Sequence, residues 1–184
     1  MTDELIDILN DDLSYQKTAL KSEAHKYGWL HASVHIWFYT ENDELLFQKR
    51  SPTKIAFPDK WDVSVAGHIP TGETPITSAL REVEEEIGLI ITENELVPIG
   101  TFHEKHQHRV DFIDNEIHYI YLSKLKKSID QLKIQKEELS DVKLIRIKDC
   151  EHYLQSPTFD AYFVSHSSIY YQFVLNHIKK NTSS

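Results

Sequence analysis

Residues 67–89 read GHIPTGETPITSALREVEEEIGL, a segment dense in groups that can do chemistry. Ile76, Ala79, Leu80, Val83 and Ile87 recur at helical spacing, which predicts an amphipathic helix over Pro75–Ile87. On that helix Glu82, Glu85 and Glu86 stand at i, i+3 and i+4, within an arc of about 100° on the side away from the apolar stripe, while Glu84 points elsewhere. Three like charges so close repel unless something positive sits among them. Arg81 offers one counter-charge and cannot neutralise all three. Carboxylate-only ligation suits hard cations such as Mg²⁺ or Mn²⁺. Through such a cation even an acidic protein can hold a small phosphate ligand. An isolated EVEEE run is ordinarily a solvated acidic face, so its surroundings decide the reading.

Gly67 lies six residues before Glu73, Glu73 lies eight before Arg81, and Gly88 closes the helix after Glu86. Together Gly67, Glu73, Arg81, Glu82, Val83, Glu85, Glu86, Gly88 and Leu89 resemble the Nudix box, filling nine defined positions within 23 residues. The resemblance implies an α/β fold, an α/β/α sandwich with a mixed β-sheet and a loop–helix–loop motif. It implies a hydrolase dependent on Mg²⁺, or Mn²⁺, cleaving a diphosphate bond in a nucleoside diphosphate-linked or related small molecule. Glu82, Glu85 and Glu86 would hold the metal, with the Gly67 carbonyl as a further ligand. Glu73 would pair with Arg81, and Gly67, Glu73 and Gly88 would shape the motif. Glu82, or a later carboxylate such as Glu116, would take the proton from the attacking water.

The run WLHASVHIWFYTENDELLFQKRSPTKIAFPDKWDVSVAGHIPTGE is similar to type I isopentenyl-diphosphate isomerases, a likeness that extends over Leu5–Ile147. Those enzymes bind metal through histidines and two glutamates and use a cysteine just before a Gly-His pair. His31 and His68 match two of the metal histidines. His25 approaches a third with its spacing one residue short, and is otherwise expected on a helix surface. Asp114 and Glu116 match the acidic pair, and Arg50 and Lys54 match the basic residues that hold the diphosphate. The cysteine position reads Ala66, and a methyl group cannot protonate or deprotonate carbon. Cys150, far along the chain, reads as an ordinary buried thiol. His103, His106 and His108 could collect a transition metal if their segment folded back, but they read first as a polar hairpin tip. Phe57 and Trp61 read either as packing and turn residues or as aromatics near the mouth of the site that stack on a base. The alternatives to a nucleotide hydrolase are a prenyl-diphosphate hydrolase or isomerase-like enzyme, and a non-catalytic nucleotide-binding sensor.

The elements that must position these residues follow from periodicity. Strands are expected at Leu5–Leu9, Leu30–Thr40, Leu45–Lys49, Trp61–Ala66, Leu96–His103, Phe112–Ser123 and Val142–Ile147, the second and third forming a hairpin. Helices are expected at Thr18–Tyr27, Lys148–Leu154 and Ser168–Lys179 besides the acidic one, with a frayed end at Asn181–Ser184. The expectation is one domain over residues 1–184, with a core near 28–155, an N-terminal strand and helix extension, and a closing helix near 166–180. The composition, 40% hydrophobic and 27% charged, excludes wholesale disorder. A net charge of −9 argues against nucleic acid polymers as partners. No apolar run reaches the roughly 18 residues of a membrane span. The acidic start lacks a signal-peptide pattern, and one cysteine allows no intrachain disulfide. A cytoplasmic monomer or homodimer acting on a small diphosphate is the resulting expectation.

Overall fold

The computed structural model describes residues 3–182. Chain order is β1 (Leu5–Leu9), β2 (Tyr15–Leu20), α1 (Lys21–Tyr27), β3 (His31–Tyr39), β4 (Glu44–Arg50), β5 (Trp61–Asp62), β6 (Val65–His68), α2 (Pro75–Ile87), β7 (Val97–Arg109), β8 (Phe112–Lys124), β9 (Leu139–Arg146), α3 (Ile147–Leu154), α4 (Phe159–Tyr162) and α5 (Ser168–Thr182). All the strands join one mixed, branched sheet. β3 is its centre, pairing antiparallel with β6 and parallel with β8 over nine residues, from His31 opposite Glu116 to Tyr39 opposite Lys124.

Helices cover both faces, as expected. Ala79, Val83 and Ile87 of α2 pack on Val34, Ile36, Phe38 and Leu46 on one side. Cys150 of α3, Phe159 of α4 and Tyr170, Val174 and Ile178 of α5 pack with Trp37, Leu45 and Phe47 on the other. Alternation along β4 explains the split, since Leu46 faces one core and Leu45 and Phe47 the other. The acidic helix has the predicted bounds. Thr74 caps its start by accepting the Thr77 N–H, Pro75 occupies its first turn, and Gly88 ends it in the left-handed region at φ 66°.

Four expectations need correction. Residues 18–20 belong to β2, not to the first helix, which begins at Lys21. β3 and β4 do not form an extended hairpin. They meet at one pair, Tyr39 opposite Leu45, after which β4 turns to β9. The expected strand at Trp61–Ala66 is broken at Ser64, and the two changes share a cause. The Ser64 hydroxyl donates to the Leu46 carbonyl at 2.5 Å and accepts the Phe38 N–H at 2.8 Å, standing in for ladder bonds where β3 and β4 part. Finally, β7 runs on to Arg109, so His103, His106 and His108 lie within a strand and not at a hairpin tip. At the C-terminus α5 continues through Thr182, while Ser183 and Ser184 of the expected frayed end lie outside the described residues.

Phe47 is fully buried where β4 meets Trp37 and Phe163. Phe47→Ala is expected to lower unfolding free energy by about 3–5 kcal/mol, read from urea denaturation. A loss under about 1 kcal/mol would show that this core does not carry the fold.

Candidate active site

The ends of β3, β6, β7 and β8 and the loop after β4 enclose a cavity of about 450 Å³. Strand alternation decides which side chains enter it. Asp114, Glu116 and His118 are alternate residues of β8, and Glu104 and His106 are alternate residues of β7. All five line the cavity. His103 takes the opposite parity and bonds the Asn115 side chain instead, so the three expected histidines do not act as one group.

One ligand atom from each of His25, His31, His68 and Glu116 lies within 4.8 Å of the others. Glu116 Oε1 is 3.6 Å from His31 Nε2, 3.3 Å from His68 Nε2 and 4.0 Å from His25 Nε2. The tautomers are set from behind. His25 Nδ1–H donates to the Lys21 carbonyl and His31 Nδ1–H to the Trp29 carbonyl, each at 2.8 Å. In the neutral rings both Nε2 lone pairs therefore point at carboxylate oxygens. Acceptor facing acceptor is repulsive unless a proton or a cation lies between. His31 Nε2 and His68 Nε2 are also buried without a hydrogen-bond partner. These donors fit a divalent ion that accepts imidazole and carboxylate. His25, expected on a helix surface, is buried here because α1 packs against β8.

Electrostatics reflect the crowding. Burial works against ionisation of Glu116, yet its contacts to His31 and His68 hold it well below the usual carboxylate range. Burial lowers His68, with Glu116 opposing. Burial works to lower His25, but its contacts to Asp114, the Lys21 carbonyl and Glu116 together raise it.

The acidic helix meets this cavity from another side. Glu86 is buried, lines the cavity and accepts the Ala66 N–H at 3.2 Å. Burial, then the charge of Glu82, raise Glu86 well above the ordinary range, and burial lifts Glu82 to about 7 against the pull of Arg81. Glu82 lies under Gly67, where an added Cβ would sit 2.0 Å from its carboxyl carbon, so only glycine there lets the Glu82 side chain keep its place. Glu85 is about half exposed, and neither it nor Glu82 lines the cavity. Arg81 ties the motif together, donating to Glu73, to Glu82 at 2.8 Å, to Glu85 at 3.2 Å and to the His68 carbonyl at 3.2 Å.

Arg50 and Lys54 line the cavity, but each already has a partner. Arg50 donates to Asp62 at 3.0 Å, and Lys54 pairs with Glu138. Burial and the neighbouring Arg50 bring Lys54 down to about 8. Lys21 also lines the cavity, and its place between β2 and α1 gave no sign of that. Phe57 lines the mouth and meets His108 edge-on, while Trp61 lies elsewhere with Lys143 over its ring. Cys150 is buried in the core, which pushes its thiol up to about 12.

Deeper in the same cavity is a network that the sequence did not announce. His166 Nδ1 is 2.5 Å from Glu104 Oε2, and His166 Nε2 is 3.0 Å from Asp62 Oδ1. Burial opposes charge on His166, but these two bonds lift it to about 9. His118 links the network to Glu116, lying 3.6 Å from Glu104 on one side and 3.5 Å from Glu116 on the other. The parity of Glu104 with His106, and of Glu116 with His118, was readable. The meeting with Asp62 and His166 is not a local property.

Helices on both faces of a mixed sheet, with a capped loop–helix that carries three carboxylates and presents Glu86 to a cavity, define the Nudix class of fold. The NUDIX domain family profile matches residues 29–166, and the chain belongs to that family, the Nudix hydrolases. It is 34% identical over 174 residues to Nudix hydrolase 3 of Arabidopsis thaliana, covering 90% of this chain but spanning only 22% of that protein's length. It is 33% identical over 159 residues to an uncharacterized Nudix hydrolase of Clostridium acetobutylicum, covering 85% of this chain and 76% of that one. It is 29% identical over 143 residues to the isopentenyl-diphosphate Delta-isomerase of Salmonella heidelberg, covering 77% and 76%. The fold is shared with a solved Deinococcus radiodurans structure, DR0079, at TM-score 0.65 and 21% identity, covering 82% of this chain and 86% of that one. No helix among the described residues is long and apolar enough to cross a membrane.

The His166 pairing has a signed consequence for stability. Its pKa is about 9 when folded against 6.5 ordinarily. The contribution is thus fully present below about pH 6.5 and is lost as pH rises through about 9. In chelator-treated protein, the stability gap between wild type and His166→Gln is expected to narrow by roughly 3 kcal/mol across that window. Urea unfolding at a series of pH values reads it, and a gap independent of pH would contradict the assignment.

Proposed function

We propose that this chain is a divalent-metal-dependent pyrophosphohydrolase that cleaves a diphosphate bond in a nucleoside diphosphate-linked or related small molecule. The observation that carries the reading is the convergence on one cavity of Glu86 from the acidic helix, of His25, His68 and Glu116, which form the cation-fitting set with the fully buried His31, and of the basic side chains Lys21, Arg50 and Lys54. Mg²⁺ or Mn²⁺ at Glu82, Glu85 and Glu86 would supply charge neutralisation for the diphosphate and a more acidic water. The Gly67 carbonyl would join that set, and His68, His31, Glu116 and His25 would hold an ion in the second one.

The protein's own groups do the remaining work. Arg50 and Lys54 exchange their partners Asp62 and Glu138 for phosphate oxygens, which orients the scissile bond. Glu82 is assigned as proton acceptor for the attacking water. Glu116 is the weaker candidate because both of its oxygens are engaged, Oε1 by three imidazoles and Oε2 by His118. Arg81 acts indirectly, fixing Glu82 and Glu85 through its bonds.

A second reading, hydrolysis of a prenyl diphosphate, is favoured by the isomerase-like arrangement of His25, His31, His68, Asp114 and Glu116. Double-bond isomerisation is disfavoured by Ala66, whose methyl offers no proton.

Phosphorus NMR of the full chain with Mg²⁺ or Mn²⁺ and a panel of nucleotide sugars, dinucleotides, nucleoside triphosphates and isopentenyl diphosphate tests these readings. The expected result is metal-dependent cleavage of a diphosphate bond, reduced by about 10²-fold or more in Glu86→Gln. Double-bond migration without phosphorus-bond cleavage would overturn the hydrolase reading. Metal-dependent binding without turnover would point to a sensor. Gly67→Ala, by displacing Glu82, is expected to lower turnover at least about tenfold while the thermal midpoint falls only slightly. Unchanged turnover would remove Glu82 from the mechanism.

A further inference from the structure

We infer that Glu104, His106 and His166 form a second transition-metal site in the wall of the cavity, separate from the acidic helix and from the His25, His31, His68 and Glu116 set. One ligand atom from each of the three lies within 4.8 Å of the others. Two imidazoles and one carboxylate are the donor set of open three-ligand sites for Zn²⁺ and related first-row ions, whereas Mg²⁺ prefers oxygen.

Two further observations distinguish this cluster from a chance meeting of polar side chains. First, His106 Nε2 is buried with no hydrogen-bond partner, and its nearest acid is Glu104 Oε2 at 4.0 Å. A buried imidazole nitrogen aimed at a carboxylate across that distance is short of a cation. Second, His166 is already supported as a metal ligand is. Its Nε2–H donates to Asp62 Oδ1 at 3.0 Å, and the other Asp62 oxygen is held by Arg50 at 3.0 Å. Donation through Nε2 leaves the Nδ1 lone pair directed at Glu104, the carboxylate–histidine–metal arrangement. Glu104 is anchored too, since its Oε1 accepts the Ser167 N–H at 2.8 Å and leaves Oε2 for the ion. In the metal-free protein a proton on His166 occupies the ion's place.

The imidazole of His118 stands between Glu104 and Glu116, so ions in the two sets would be a ring apart and would not share a bridging water. An ion with three protein ligands keeps a position open toward the cavity. The group it would take there is an anionic oxygen of the bound small molecule, at a point distinct from Arg50 and Lys54. The inference does not depend on the hydrolase reading, because its test measures metal and not turnover.

Full-length protein stripped with chelator and dialysed against Zn²⁺ is assayed for bound metal by mass spectrometry, and Co²⁺-loaded protein is examined for visible d–d absorption. Wild type is expected to hold one equivalent more than His106→Ala or Glu104→Gln, and the same two variants should lose one component of the Co²⁺ spectrum. His31→Ala should lose a different component. Unchanged stoichiometry and spectrum in both variants would overturn the site. Should either variant fail to fold, anomalous difference maps at the zinc edge on wild-type crystals grown with Zn²⁺ decide alone. A peak among Glu104, His106 and His166 supports the site, and peaks only elsewhere refute it.

Discussion

The structure turns on one largely buried carboxylate. Glu116 stands in the cavity wall with its charge favoured, and removing a carboxylate from water is costly unless opposite charge and hydrogen bonds replace the solvent. Here the replacements come from four elements. His25 arrives on α1, His31 on β3, His68 at the end of β6 and His118 from Glu116's own strand. That requirement fixes the architecture around β3. The parallel register with β8 sets His31 opposite Glu116, and the antiparallel register with β6 sets Ser33 opposite His68. A slip of one residue in either ladder would turn these side chains to the opposite face and leave the carboxylate alone.

The same need for compensation spreads outward. Glu116 engages His118, His118 approaches Glu104, Glu104 holds His166, His166 holds Asp62 and Asp62 holds Arg50. Acid and base alternate along this line, so each buried charge has an opposite neighbour in a medium where Coulomb attraction is strong. Arg50 is thereby coupled to a histidine contributed by a segment more than a hundred residues later.

What the sequence made legible is what is encoded locally. The acidic helix has a cap, a proline, an apolar stripe and a terminating glycine within fifteen residues, so its bounds and the carboxylates on it could be read directly. β3 and β8 carried enough apolar, branched and aromatic residues to read as strands. The polar strand end from His103 to Arg109 misled for a physical reason. Its inward face meets a polar cavity, so the hydrophobic alternation that marks a half-buried strand is absent, although the parity of Glu104, His106 and His108 was present. Ser64 misled differently, since a single hydroxyl ends one pairing and starts another, and no window of composition registers that. His25 was discounted on spacing alone. Spacing along the chain says little once a helix carries the residue back onto a strand ninety positions away.

The cavity also constrains how any diphosphate can enter it. Seven carboxylates line it against three basic side chains, Lys21, Arg50 and Lys54, and all three are turned toward acids of the protein itself, Glu4, Asp62 and Glu138. Without added positive charge this is a poor place for an anion. A cation held by the imidazole and carboxylate donors would reverse some of that field. On the proposed function, cation and diphosphate binding would therefore be linked, each strengthening the other by the same free energy. On the proposed function the acids would be the receptors for the charge that admits the substrate, and Ala66 beside them, with no proton to offer carbon, leaves phosphorus as the atom they would serve.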